Sequence, residues 1–88
     1  MCTRIGTTTR IAGSAKSASG WGKVDEAGIS YDHATHAWSD HALRLDFVNS
    51  AAPMTERVAV ELDLRSAKAL LADLAEVIGA AERSGITD

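Results

Sequence analysis

One cysteine, one proline and four aromatic side chains are all that this 88-residue chain holds of the residue types that most often anchor small folds. The lone cysteine, Cys2, rules out an internal disulfide. Pro53 is the only proline, so nearly the whole chain is free to enter strands or helices. No apolar run approaches the roughly 18 residues that a membrane span needs, so no membrane partner is expected. The opening Met1-Cys2-Thr3-Arg4 has no hydrophobic signal segment, which makes a cytoplasmic location the expectation. Lysine and arginine are scattered under a net charge of −3, and the missing basic stripe argues against nucleic acid as a partner. Large aromatics are few: Trp21, Trp38, Tyr31 and Phe47. A chain of this length buries only about 60–65% of its unfolded surface. With alanine supplying much of the apolar content the core is lean, and a homodimer is expected because self-association would help it.

What is present reads as four strands followed by a helix. Residues 3–12 carry β-formers, with Ile5, Thr7, Thr9 and Ile11 on one face. The small-residue stretch from Gly13 to Gly20 reads as a turn. It has a superficial likeness to a phosphate loop, but the Walker pattern is absent and no helix follows it. A second strand runs from Trp21 to His33, and Gly28 suits a bulge or bend within it. Trp21 is expected to pack under that bend. A third strand, 41–48, sets His41, Leu43, Leu45 and Phe47 on one side. In the fourth, 57–65, Val58, Val60, Leu62 and Leu64 point inward. A hairpin register placing Leu45 opposite Val60 also pairs Arg44 with Glu61. Ser66 is a candidate N-cap for a helix running to about Arg83, and Gly85 is its stop. Ala67, Leu70, Leu71, Leu74, Val77, Ile78 and Ala81 form its apolar stripe. The predicted fold is a single α+β domain over 1–88. It comprises a four-stranded antiparallel sheet and one C-terminal helix packed on its apolar face (ββββα). One helix cannot cover the whole sheet, so the remainder is read as a ligand groove or a dimer interface.

All three histidines fall within Tyr31-Asp32-His33-Ala34-Thr35-His36-Ala37-Trp38-Ser39-Asp40-His41. His33 ends one predicted strand and His41 begins the next, which places both on the inner face at a hairpin end. His36 lies in the connecting loop, where it could fold over them. Three neutral imidazoles with an open fourth position make a catalytic metal arrangement, with zinc as the default and iron, copper, nickel or cobalt as further options. Cys2 is a fourth candidate ligand. If Met1 were removed, its amine and thiol could chelate together. Asp32 and Asp40 could be ligands or could orient the imidazoles. Without metal, His33, His41, Asp32 and Tyr31 are the candidate acid–base residues, because imidazole titrates near neutral pH. The spacing His-x2-His-x4-His is not a diagnostic metal pattern, and loop histidines that are simply solvated remain an alternative. Tyr31 has the plainer reading of a structural phenol. Trp38 is expected to pack against something, as a lid or a dimer contact.

Met1-Cys2-Thr3, Gly13-Ser14-Ala15-Lys16, Gly20-Trp21, Tyr31-Asp32-His33, His36-Ala37, His41-Ala42-Leu43, Asp46-Phe47 and Arg57-Val58-Ala59-Val60-Glu61-Leu62 together cover most of the chain. In these motifs the sequence resembles an uncharacterised domain family of short actinobacterial proteins, some encoded near secondary-metabolite genes. The resemblance implies a bacterial cytosolic protein acting on a biosynthetic intermediate, and it carries no catalytic residue across. Three functions compete. The first is a small metalloenzyme of secondary metabolism using His33, His36 and His41, and it is the leading expectation. The second is a metal-free small-molecule-binding protein, cyclase or isomerase using His/Asp chemistry. The third is a non-catalytic dimeric interaction module.

Overall fold

The computed structural model describes residues 3–53, 57–86 and 88. Four strands are followed by one helix: β1 (Ile5–Ser17), β2 (Gly20–His33), β3 (His41–Val48), β4 (Arg57–Leu62) and α1 (Leu64–Ser84). The strands form one antiparallel meander in the order β1-β2-β3-β4. This is the expected ββββα arrangement. The expected β3–β4 register also holds, with Leu45 opposite Val60 and Arg44 opposite Glu61.

Alternation gives the sheet two unlike faces. Ile29, Tyr31, Leu43, Leu45, Val58, Val60 and Leu62 lie on the apolar face; Ser30, Asp32, Arg44, Asp46 and Glu61 lie on the other. Two ion pairs lace the polar face. Arg44 meets Glu61 at 3.2 Å, and Arg57 meets Asp46.

Several local readings are corrected. The small-residue stretch after Gly13 is not a turn. Gly13 to Ser17 pair with Gly20 to Val24, and Ala18 and Ser19 alone form the hairpin tip. Small side chains do not prevent pairing when the partner strand supplies the ladder. Gly28 is no bulge, since it pairs in register with Thr8 and Asp46. The irregularity lies in β1, where Ile11 and Ala12 oppose the single residue Asp25 between the pairs Arg10–Glu26 and Gly13–Val24. β4 ends at Leu62, and Leu64 opens the helix instead of continuing the strand. The N-cap is Asp63, not Ser66. Its carboxylate accepts the Ser66 amide at 2.7 Å, which also holds the Asp63 carboxyl below its ordinary range. A carboxylate three residues ahead of Ser66 outcompetes the hydroxyl as acceptor for the free first-turn amides. Gly85 stops the helix as expected, with a left-handed φ of 76°.

The helix leans over the apolar face at its N-terminal end only. A cleft of about 300 Å³ separates Ile29, Leu43, Leu45 and Leu62 of the sheet from Leu70, Leu71 and Leu74 of the helix. No helix residue is buried. Among the described residues the buried apolar set is Val24, Ala27 and Ala42. Both tryptophans stand exposed, Trp38 fully, so Trp21 does not pack under the bend and Trp38 makes no lid within the chain.

Candidate functional site

His33 and His41 are the last cross-strand pair of the β2–β3 hairpin. Antiparallel neighbours carry Cβ atoms about 4.5–5.5 Å apart on one face, so two imidazoles at this rung must meet. They stack with ring centroids 4.7 Å apart and planes 29° apart. Tyr31, two residues before His33 on the same face, also stacks with His41, at 5.7 Å and 18°. The three rings form a cluster centred on His41 at the hairpin end. The same face continues through Ile29 and Leu43 into the apolar cleft.

His36 takes a different place. The chain between the strands closes through the Ala34 amide, which donates to the Asp40 carbonyl at 3.0 Å. Three successive amides then turn to Glu61. Thr35 and His36 donate to its carboxylate at 2.8 Å each, and Ala37 donates at 3.1 Å. Arg44 binds the same carboxylate at 3.2 Å and the Thr35 hydroxyl at 3.1 Å. Consecutive amides converging on one carboxylate form an anion nest. The Thr35 and His36 amides, helped by Arg44 and Ala37, hold the Glu61 carboxyl at about 2, well below its ordinary value of 4.5. Glu61 projects from the polar face, so the loop is drawn to that side. His36 there lines a depression with Thr35, Ala37, Arg44, Arg57 and Glu61.

The structure therefore brings together Tyr31, His33 and His41 and sets the His36 segment apart from them. Asp32 lies on the polar face, lining a hollow with Ser30, Ala42, Arg44 and Glu61 that His33 borders. One of its carboxylate oxygens accepts the His33 amide at 2.7 Å. Cys2 lies outside the described residues. Among the described residues, no three histidine, cysteine or carboxylate side chains gather closely enough to share one metal ion. Glu61 was read from the sequence only as the partner of Arg44. Its grip on the loop uses backbone donors, which no residue type announces.

A four-stranded antiparallel meander and one C-terminal helix make this a small α+β domain, with a ring cluster at its central hairpin. The chain belongs to a family of unknown function (DUF6295), whose model matches residues 1–87. Comparison with curated proteins and with solved structures finds no match. No helix among the described residues is long and apolar enough to cross a membrane.

Proposed function

We propose that this chain binds a divalent transition-metal ion through the paired imidazoles of His33 and His41 and offers it to a small-molecule ligand. The observation that carries this reading is the ring pair, 4.7 Å apart on the last rung of the β2–β3 hairpin. Two imidazoles on facing strand positions could turn out of the stack about their side-chain bonds and aim one nitrogen each at a common ion. Such a chelate leaves coordination positions open for water and ligand, and bound water would be acidified toward nucleophile or base. Zinc is the default ion, and iron, copper and nickel also accept imidazole. His36 would join only if the 34–40 loop left Glu61. The setting that fits is cytoplasmic, with the actinobacterial secondary-metabolite context that the family resemblance implies.

The test is metal analysis and calorimetric titration of untagged protein with zinc, copper and nickel, beside single alanine variants at His33, His36 and His41. Binding in the parent and in His36→Ala, but not in His33→Ala or His41→Ala, is the expected pattern. A parent that binds none of these ions, or binds them equally after loss of His33 and His41, defeats the reading.

A second, metal-free reading rests on Tyr31. Its stack on His41 makes an aromatic ledge beside the apolar cleft, suited to a planar ligand whose proton His41 or His33 could move. A ligand-dependent rise in melting temperature in the presence of chelator supports it. No such rise with any planar ligand tried, together with loss of the metal response on chelation, leaves the metal reading alone.

A further inference from the structure

We infer that two copies of this chain associate through their C-terminal helices, crossing antiparallel near Leu74, with each helix filling the cleft of the other copy. The inference is independent of the metal reading.

The first argument is area. The chain exposes 6948 Å². A compact monomer of 9.3 kDa exposes about 5000 Å² by the usual size scaling. The excess, roughly 2000 Å² per copy, is more than the ~800 Å² per partner of a standard stable interface. The Cα radius of gyration is likewise 14.6 Å, against about 12 Å for a compact domain of this length.

The second argument is where the excess lies. Leu70, Leu71, Leu74, Val77 and Ile78 recur at helical spacing, and all are exposed, Leu71 by 68% and Val77 by 67%. The N-terminal half of this stripe borders the cleft, and the C-terminal half runs beyond it. A ridge beside a groove is self-complementary under a two-fold axis. An antiparallel crossing near Leu74 lays the partner's Val77 and the partner's Ile78 over Leu71 and the cleft, and the reverse.

The third argument is charge, which selects the second copy as occupant. Lys68 and Glu82 lie on the same flank of the stripe, seven residues to either side of Ala75. In an antiparallel helix pair each flank meets its own copy. Lys68 therefore faces the partner's Glu82, and Glu82 faces the partner's Lys68. A parallel pair would set this flank against the partner's opposite flank, and the Lys68–Glu82 pairing would be lost. Such surface pairs add little affinity but fix orientation.

The test is sedimentation equilibrium of the full chain, in chelator so that metal binding plays no part. The parent is expected at twice 9.3 kDa. Val77→Glu should shift it to monomer with the far-ultraviolet spectrum retained. Lys68→Glu and Glu82→Lys should each weaken the dimer several-fold, and the double swap should recover it. These exposed charge changes leave the fold intact, so the proposal does not depend on the fate of Val77→Glu. A parent that sediments at 9.3 kDa at high micromolar concentration overturns the proposal, as does a dimer indifferent to both single reversals and the swap. His33→Ala dimerising normally while failing to bind metal would separate this inference from the metal reading.

Discussion

The imidazoles of His33 and His41 lie face to face at the closing rung of the β2–β3 hairpin, 4.7 Å between centroids. An aromatic pair of this kind contributes about 0.5–1.5 kcal/mol beyond its buried area. Since His33 is exposed, His33→Ala is expected to fold and to lose less than about 1.5 kcal/mol in urea unfolding. Its loss of metal binding should be far larger than that small cost. Equal losses in stability and binding would mark the stack as structural only.

Glu61 provides a pH-dependent clamp on the 34–40 loop. Its carboxyl is held at about 2 in the folded chain, below the ordinary 4.5. A depressed carboxyl stabilises fully above its unfolded value and loses that contribution as pH falls through the folded one. The amides of Thr35, His36 and Ala37 should therefore stay protected from hydrogen exchange at neutral pH and lose protection as pH falls from 4.5 toward 2. Glu61→Gln should show the loosened loop already at neutral pH, as faster exchange of the same three amides. Unchanged protection in Glu61→Gln would mean that the loop is held by other contacts.

The helix ends make separable predictions. Gly85 sits at φ 76°, where a Cβ is strained, so Gly85→Ala should cost about 1–2 kcal/mol. Asp63→Ala should lower helicity and melting temperature by freeing the Ser66 amide, while Ser66→Ala should do much less. Circular dichroism melts of the three variants test the order. An Asp63→Ala melt matching the parent would remove Asp63 as the cap.

Ala42 is 3% exposed, one rung in from the closing pair of the hairpin. A side chain there has no room to grow, and Ala42→Leu should cost about 1–3 kcal/mol by overpacking. Chemical denaturation measures it. A neutral result would show that the polar-face loop yields easily.

Much of the fold could be read from the residue order because alternation is a local signal. Val58, Val60 and Leu62 declare a strand facing the core, and Arg44 with Glu61 fixes its register. The hairpin placement of His33 and His41 follows from the same alternation. The side of the sheet that His36 takes could not be read this way. Loop residues have no period, and the deciding bonds join backbone amides to Glu61. The β1–β2 turn was misplaced because Gly13, Ser14 and Ala15 suit turns and strands alike. Asp63 lost the cap to Ser66 in the sequence reading because it also fits the outward position of a longer fourth strand. The exposure of Leu71 and Val77 is a property of how far α1 leans, which a stripe on a helix does not encode.

The bulge in β1 has a consequence for solubility. β1 is a thirteen-residue edge strand rich in threonine, with one row of peptide groups left unpaired by any neighbour among the described residues. A long straight edge of that kind is a template on which other chains add strands and grow into fibres. The extra residue at Ile11–Ala12 breaks the row in two and twists its halves apart, and Arg10 stands charged at the break. The chain thus carries its own guard against aggregation in the middle of its most aggregation-prone strand.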